Sequence, residues 1–112
     1  MTQRQLNKLV KTWARRLGIS DWYIRAEFKS SDEMPEDEGR CWHYPEYRRA
    51  IIDILQESDR DEESDSIEST VVHELLHIVL GGHKTTREGD YDEMFERGIN
   101  LVTTALLEGR DE

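Results

Sequence analysis

The sequence predicts an α+β fold of one N-terminal helix, a three-stranded, mostly antiparallel sheet and two further helices. Three patterns carry this prediction. Apolar residues recur at helical spacing near both ends of the chain, they alternate with polar residues in the middle, and a nearly continuous apolar run begins at residue 67. At 112 residues the chain has room for one domain, spanning 1–112.

The first predicted helix begins at a capping box and ends at a glycine. The side chains of Thr2 and Gln5 are placed to satisfy free amides of the first turn, and Gly18 follows the last apolar position. The apolar positions in between are Leu6, Leu9, Val10, Trp13 and Leu17. This spacing is typical of an amphipathic helix.

The middle of the chain carries the three predicted strands. Residues 22–28 alternate as a half-buried strand does, and the polar stretch 29–38 predicts a surface loop. Two further strands are expected at 39–44 and 47–55. They are joined at Pro45, which pre-sets a turn and cannot donate to a ladder.

Two helices are predicted in the rest of the chain. Asp65 and Glu68 are placed to satisfy the first amides of a helix over 66–80, which Gly81 ends. A polar loop then leads to a last helix over 91–107. Its predicted inner face consists of Phe95, Ile99, Val102 and Leu106.

The charge balance narrows the expected partners. A formal net charge of -10 argues against nucleic acid and anionic membranes, both of which call for a basic surface. The acidic run at 57–64 predicts a solvated loop. No apolar run reaches the length of a membrane span, and the single cysteine, Cys41, fits a reducing compartment. We therefore expect a cytoplasmic protein.

The segment from His73 to His77 reads H-E-x-x-H. Residues four apart on a helix lie one turn apart on the same face, so His73 and His77 can bind one ion. Glu74 lies about 100° further round, where it can reach a water on the metal without being a ligand. These are the two histidine ligands and the general base of a zincin site, and the motif therefore predicts Zn²⁺ as the cofactor.

The surroundings of the motif favour metal binding. Apolar residues cover most of the predicted helix, which indicates burial, and leave one narrow polar stripe. The stripe consists of Ser66, Ser69, Thr70, His73 and His77. A buried polar group without a partner costs roughly 1 to 3 kcal/mol, and a shared zinc ion would supply a partner to both histidines.

A third ligand is expected from the residues that follow. His83 has the spacing of the third metzincin histidine, but Leu80 stands where that pattern has glycine. On the last helix, Asp92 lies about 60° and Glu96 about 100° from Phe95 at the centre of the inner face. This placement favours Asp92 as the third metal ligand, with His83 and Glu96 as alternatives.

The chain also resembles a known family. The resemblance lies in the order of elements and in three stretches, residues 17–24 (LGISDWYI), 48–54 (RRAIIDI) and 70–77 (TVVHELLH). Together they are similar to the small single-domain zincin metallopeptidases of phages and bacteria, of the minigluzincin type. The resemblance implies a zincin-like minimal domain, and members of the family often carry Glu-Glu where this chain has Asp92 and Glu93.

The predicted function is that of a zinc-dependent peptidase. Glu74 activates a zinc-bound water for attack on a peptide carbonyl of a peptide or protein substrate. The substrate is expected along the edge strand at 39–44, and candidate oxyanion or substrate contacts are His43, Tyr44 and Tyr91. Two alternatives stay open: a non-catalytic, zinc-stabilised protein-binding domain, and a phage-encoded regulator or inhibitor of a basic host protein. The sequence predicts no oligomeric state.

Overall fold

The elements of the structure follow the predicted order. The structure is a computed structural model and describes residues 1–81 and 93–109. Its elements are α1 (Gln3–Arg16), β1 (Tyr23–Lys29), β2 (Gly39–Tyr44), β3 (Arg49–Leu55), α2 (Ile67–Val79) and α3 (Glu93–Gly109). The α+β class, with one helix before a three-stranded sheet and two helices after it, is confirmed.

Thr2 caps α1 as predicted. Its hydroxyl oxygen accepts the backbone N–H of Gln5 at 3.1 Å, and Oε1 of Gln5 accepts the backbone N–H of Thr2 at 2.8 Å. The helix ends at Arg16, and Gly18 adopts a φ of 78°, which favours glycine. The face of α1 that packs into the core consists of Leu6, Val10, Trp13 and Ala14.

The sheet is mixed, and the prediction of a mostly antiparallel sheet was wrong for one of its two pairings. The strand order is β1-β3-β2, with β3 parallel to β1 and antiparallel to β2. Residues 30–38 carry the chain past the central position to the far edge, and the hairpin then returns β3 between the other two strands. The central strand, β3, is also the most buried of the three. A strand that pairs on one side in parallel is favoured where both faces of the sheet are covered.

A short 3-10 turn joins β2 and β3. It spans Pro45–Tyr47 and is followed by Arg48 in the left-handed region, with a φ of 51°. The bounds predicted for β2 are confirmed, whereas β3 begins at Arg49 and not at Tyr47 because the turn takes up the intervening residues.

The start of α2 differs by one residue from the prediction. The N-cap is Ser66, whose hydroxyl oxygen accepts the backbone N–H of Ser69 at 3.0 Å, and not Asp65. Glu68 does not complete a capping box with it. Instead, the Glu68 carboxylate accepts the indole N–H of Trp13 at 2.9 Å and thereby ties α2 to α1.

The last helix buries a narrower stripe than predicted. Ile99 and Thr103 are buried in α3, whereas Val102 is 42% exposed, so its assignment to the inner face was wrong. Val102 is exposed because α3 turns another face toward α2. On that face, Glu96 and Asn100 contact the histidines of α2 and set the rotation of α3 about its axis. No helix in the described part of the chain is long and apolar enough to span a membrane.

Arg60 is an exception to the solvated loop predicted at 57–64, because its side chain is buried and joins three elements. Its Nε donates to the carbonyl of Leu55 at 2.7 Å, and Nη2 donates to that of Glu38 at 3.0 Å. Nη1 donates to the carbonyl of Asp65 at 2.8 Å and to the Thr70 hydroxyl at 3.2 Å. One guanidinium thus holds the end of β3, the approach to β2 and the start of α2 together.

Replacing Arg60 by alanine is expected to lower the free energy of unfolding by about 2 to 4 kcal/mol, since several buried acceptors lose a charged donor. Urea denaturation measures the loss. The matched control is Arg4→Ala on the exposed side of α1, for which a change within about 0.5 kcal/mol is expected. Equal midpoints for both variants would contradict a structural role for Arg60.

Candidate metal centre

Helix α2 places His73 and His77 on one face, as their spacing predicts. Their ring centroids lie 5.2 Å apart, and their side chains are 21% and 20% exposed. The two rings are therefore half-buried, whereas the apolar residues around the polar stripe predicted their burial. The remaining exposure leaves a path from solvent to the imidazole nitrogens.

The carboxylate of Glu96 lies between these two rings. Its Oε2 is 2.9 Å from Nε2 of His73, and its Oε1 is 2.9 Å from Nε2 of His77. The three side chains offer ligand atoms that lie within 4.8 Å of one another. In a zinc site, nitrogen ligands lie about 2.0 to 2.1 Å from the metal and carboxylate oxygens about 2.0 to 2.2 Å. Small outward shifts of the three groups would therefore accommodate an ion.

Asn100 orients the ring of His73 through the nitrogen that faces away from Glu96. Its Oδ1 lies 2.9 Å from Nδ1 of His73, on the opposite side of the ring from Glu96. An Nδ1–H that donates to this oxygen leaves Nε2 as the metal-binding atom, which is the usual arrangement for a ligating histidine. Asn100 follows Glu96 by four residues, so both side chains leave the same face of α3. This spacing is the sequence signal by which Asn100, which was not predicted, could have been found.

His77 is held in a form suited to metal binding. Burial lowers the pKa of its imidazole below the usual value, even though the neighbouring Glu96 carboxylate raises it. A ring that stays neutral near pH 7 keeps a lone pair available for a cation. Phe95 packs beside it with ring centroids 5.7 Å apart, which restricts the rotation of the imidazole.

Glu74 occupies a different environment from the histidines. Its side chain faces the sheet and is only 7% exposed. Burial raises the pKa of Glu74 to about 8, and the negative charges of Glu96 and Asp37 act in the same direction. It is not among the three groups of the candidate metal centre, which agrees with a role other than that of a ligand.

The strand above Glu74 approaches so closely that only glycine fits. A Cβ on Gly39 would lie 2.6 Å from Cγ2 of Thr70 and 3.0 Å from Oε2 of Glu74. The start of β2 therefore rests directly on the carboxylate. The absence of a side chain at position 39 lets the strand and the helix enclose Glu74 between them.

Two further residues of β2 face α2 along with Gly39. His43 is buried, and its charge acts to lower the pKa of His77, which places it near the candidate centre. Burial, and to a lesser extent the charge of Glu74, raises the pKa of Cys41 to about 12, so the thiol stays protonated. Tyr44 is more exposed and points to the other face of the sheet.

The remaining predicted site residues lie outside the described residues. These are His83, Tyr91 and Asp92. Asp92 as the third ligand, with His83 as an alternative, therefore stays a prediction. Glu96, the other alternative, is the one that the structure brings to both histidines.

The metal-free protein is expected to lose stability between pH 5 and pH 8 because of Glu74. Its carboxyl has a pKa of about 8 in the folded protein, against 4.5 for an unperturbed glutamate. The unfolded chain therefore releases this proton first, and unfolding is favoured as the pH rises through that window. At pH 8 and with chelator present, Glu74→Gln should be more stable than the unaltered protein by about 2 to 4 kcal/mol.

Urea midpoints between pH 4 and pH 8 measure this difference. The control is Glu108→Gln, which alters an exposed carboxyl of α3 and should leave the pH dependence of stability as it is. Parallel curves for Glu74→Gln and the unaltered protein would show that the carboxyl is not perturbed by burial.

Comparison with known proteins does not assign the chain to a family. No protein-family model, curated protein or solved structure matches it. The resemblance to zincin metallopeptidases consequently stays a prediction, and the case for a metal centre rests on the distances among His73, His77 and Glu96.

Proposed function

We propose that this protein is a zinc-dependent peptidase. In the proposed site His73, His77 and Glu96 hold the metal ion. The observation that carries the proposal is the position of the Glu96 carboxylate, 2.9 Å from Nε2 of each histidine. Two imidazole nitrogens and one carboxylate oxygen are a donor set of catalytic zinc sites, in which a fourth position stays open for water or substrate.

Glu74 is the proposed general base. When bound, zinc supplies a Lewis acid that lowers the pKa of water and polarises a carbonyl group. Glu74 accepts a proton from the attacking water while the water oxygen bonds to the carbonyl carbon of the peptide. When the C–N bond breaks, Glu74 gives this proton to the leaving amine. A carboxyl whose pKa burial raises to about 8 is suited to hold the proton between the two steps.

The proposed substrate is an extended peptide along β2. This strand is an edge of the sheet in the described part of the chain, and Gly39 brings its start against Glu74. A peptide that pairs with such an edge is held by backbone hydrogen bonds. Proposed contacts from the protein are His43 and Tyr44 on β2, together with Tyr91.

One observation favours a second candidate, a zinc-stabilised binding domain without catalysis. The contacts of Glu96 and Asn100 with the histidines of α2 add to the apolar packing that attaches α3 to the core. A metal ion there would fasten α3 to α2 and contribute to folding. The two candidates differ in the role they give to Glu74.

Changing Glu74 to glutamine separates the candidates. A peptidase should retain zinc and lose hydrolysis by at least about 100-fold, because the amide cannot accept the proton. Cleavage of a peptide library by mass spectrometry, with zinc content measured on the same samples, tests this. If the unaltered protein and the variant give the same cleavage, including none, the binding domain is favoured and the peptidase proposal fails.

Changing Glu96 to glutamine tests the third ligand. Removing a residue that only supports a metal ligand typically weakens metal binding about 10- to 100-fold. Loss of a charged ligand should weaken zinc binding by more than this. Competition with a zinc indicator measures the affinity. Glu93→Gln, at an exposed position of the same helix, is the control and should bind zinc like the unaltered protein. Unchanged affinity in Glu96→Gln would turn the assignment toward Asp92 or His83.

A further inference from the structure

A groove lies between α1 and β1, the outer strand of the sheet on the side opposite β2. Its volume is about 440 Å³. The residues that matter for its chemistry are Val10, Ala14, Trp22 and Ile24 on the floor and Lys11 and Arg15 on the rim. An apolar floor with charged groups on one side is typical of a binding groove.

The rim of this groove is basic in an acidic protein. None of the described residues that line it carries a carboxylate, although the chain has a formal net charge of -10. Lys11 and Arg15 are exposed and four residues apart, so they project from the same side of α1. In the part of the chain that the structure describes, neither forms an ion pair. The groove therefore offers two cations to a ligand.

The outer edge of β1 forms the other side of the groove, and no strand among residues 1–81 and 93–109 pairs with it. Tyr23 donates its N–H to the Arg48 carbonyl, and the Lys29 carbonyl accepts the N–H of Gln56. These odd-numbered residues of β1 therefore face β3, and the backbone groups of even-numbered residues point away from it, toward the groove side.

The side chain of Gln3 marks the end of this outer edge. Its Nε2 donates to the outward carbonyl of Ala26 at 2.7 Å. The contact shows that a donor approaching from α1 can pair with the outer edge of β1. Beyond it, the N–H and carbonyl of Ile24 and the N–H of Ala26 point to the position that an added strand would take.

We infer that this groove is a docking site for an acidic, extended peptide that adds to β1 as a strand and places its carboxylates on Lys11 and Arg15. Charge complementarity and geometry select this occupant. Residues four apart on a helix are about 6 Å apart along its axis, and alternate residues of a strand are about 6.6 Å apart. Acidic residues at alternate positions therefore match the two cations. Glutamate fits best, because its methylene groups can cover the apolar floor while its carboxylate reaches the rim.

This inference does not rest on the proposed peptidase. The groove is formed by α1 and β1, whereas the residues of the candidate metal centre lie on α2 and α3, and the two sets share no residue. A variant of the metal centre therefore leaves the docking site intact, and the two proposals fail or succeed separately.

The test uses the whole protein and a fluorescent hexapeptide of alternating valine and glutamate. Binding is followed by anisotropy at an ionic strength of about 0.15 M, where the Debye length is about 8 Å. The double variant Lys11→Glu, Arg15→Glu should bind at least about tenfold more weakly, since it replaces attraction with repulsion. The control Arg16→Glu, Arg97→Glu makes the same charge change at two exposed residues that do not line the groove. It should bind within about twofold of the unaltered protein once long-range charge effects are screened.

Amide exchange followed by NMR tests the strand pairing. Saturation with the hexapeptide should slow exchange at the N–H groups of Ile24 and Ala26, because they enter hydrogen bonds with the added strand. A hexapeptide methylated at alternate backbone nitrogens should lose affinity. Any of three results would overturn the inference: no binding of the hexapeptide, equal loss in both double variants, or binding of an oligothymidylate as tight as that of the peptide without slower exchange at these two amides.

Discussion

The Glu96 carboxylate holds α3 against α2, with each of its oxygens 2.9 Å from the Nε2 of one histidine. Ile99, which is fully buried, and the partly buried Phe95, Leu106 and Leu107 share this task by packing against the hydrophobic core. The attachment of the last helix is therefore both polar and apolar. Two imidazoles and a carboxylate are also a donor set for a divalent metal, so in the proposed metal centre a bound ion would fasten α3 to α2.

The same carboxylate acts on Glu74 from across the site. Burial is the main reason that the pKa of Glu74 rises to about 8, and the charge of Glu96 adds to it. The protein maintains this unfavourable burial by fixing what lies around the side chain. Gly39 lets β2 close over it, and Arg60 fastens the approach to β2 and the start of α2 to each other. The fold thus gives up stability at one carboxyl, and in the proposed peptidase this carboxyl is the general base.

Local signals in the sequence predicted the parts of the fold that depend on neighbouring residues. The capping box of Thr2 and Gln5 and the bounds of β2 are confirmed, as is the common face of His73 and His77. The parallel pairing of β1 with β3 was not predicted, because it depends on where residues 30–38 deliver the chain and on no local pattern.

The polar contacts between elements were also beyond local patterns. A helical wheel placed Glu96 at the edge of the inner face, but it could not give the rotation of α3, which contacts with α2 determine. The structural role of Arg60 was not predicted for a similar reason. The residue lies in an acidic run that reads as solvated loop, and its acceptors are carbonyl groups, which a sequence does not reveal.

Anomalous scattering at the zinc edge, from crystals grown with zinc, tests the central claim most directly. One strong peak is expected about 2.0 to 2.2 Å from Nε2 of His73, Nε2 of His77 and a carboxylate oxygen of Glu96. A peak ligated by Asp92 or His83 in place of Glu96 would contradict the assignment of the third ligand. Absence of a peak, with Glu96 still between the two histidines, would contradict the metal centre itself.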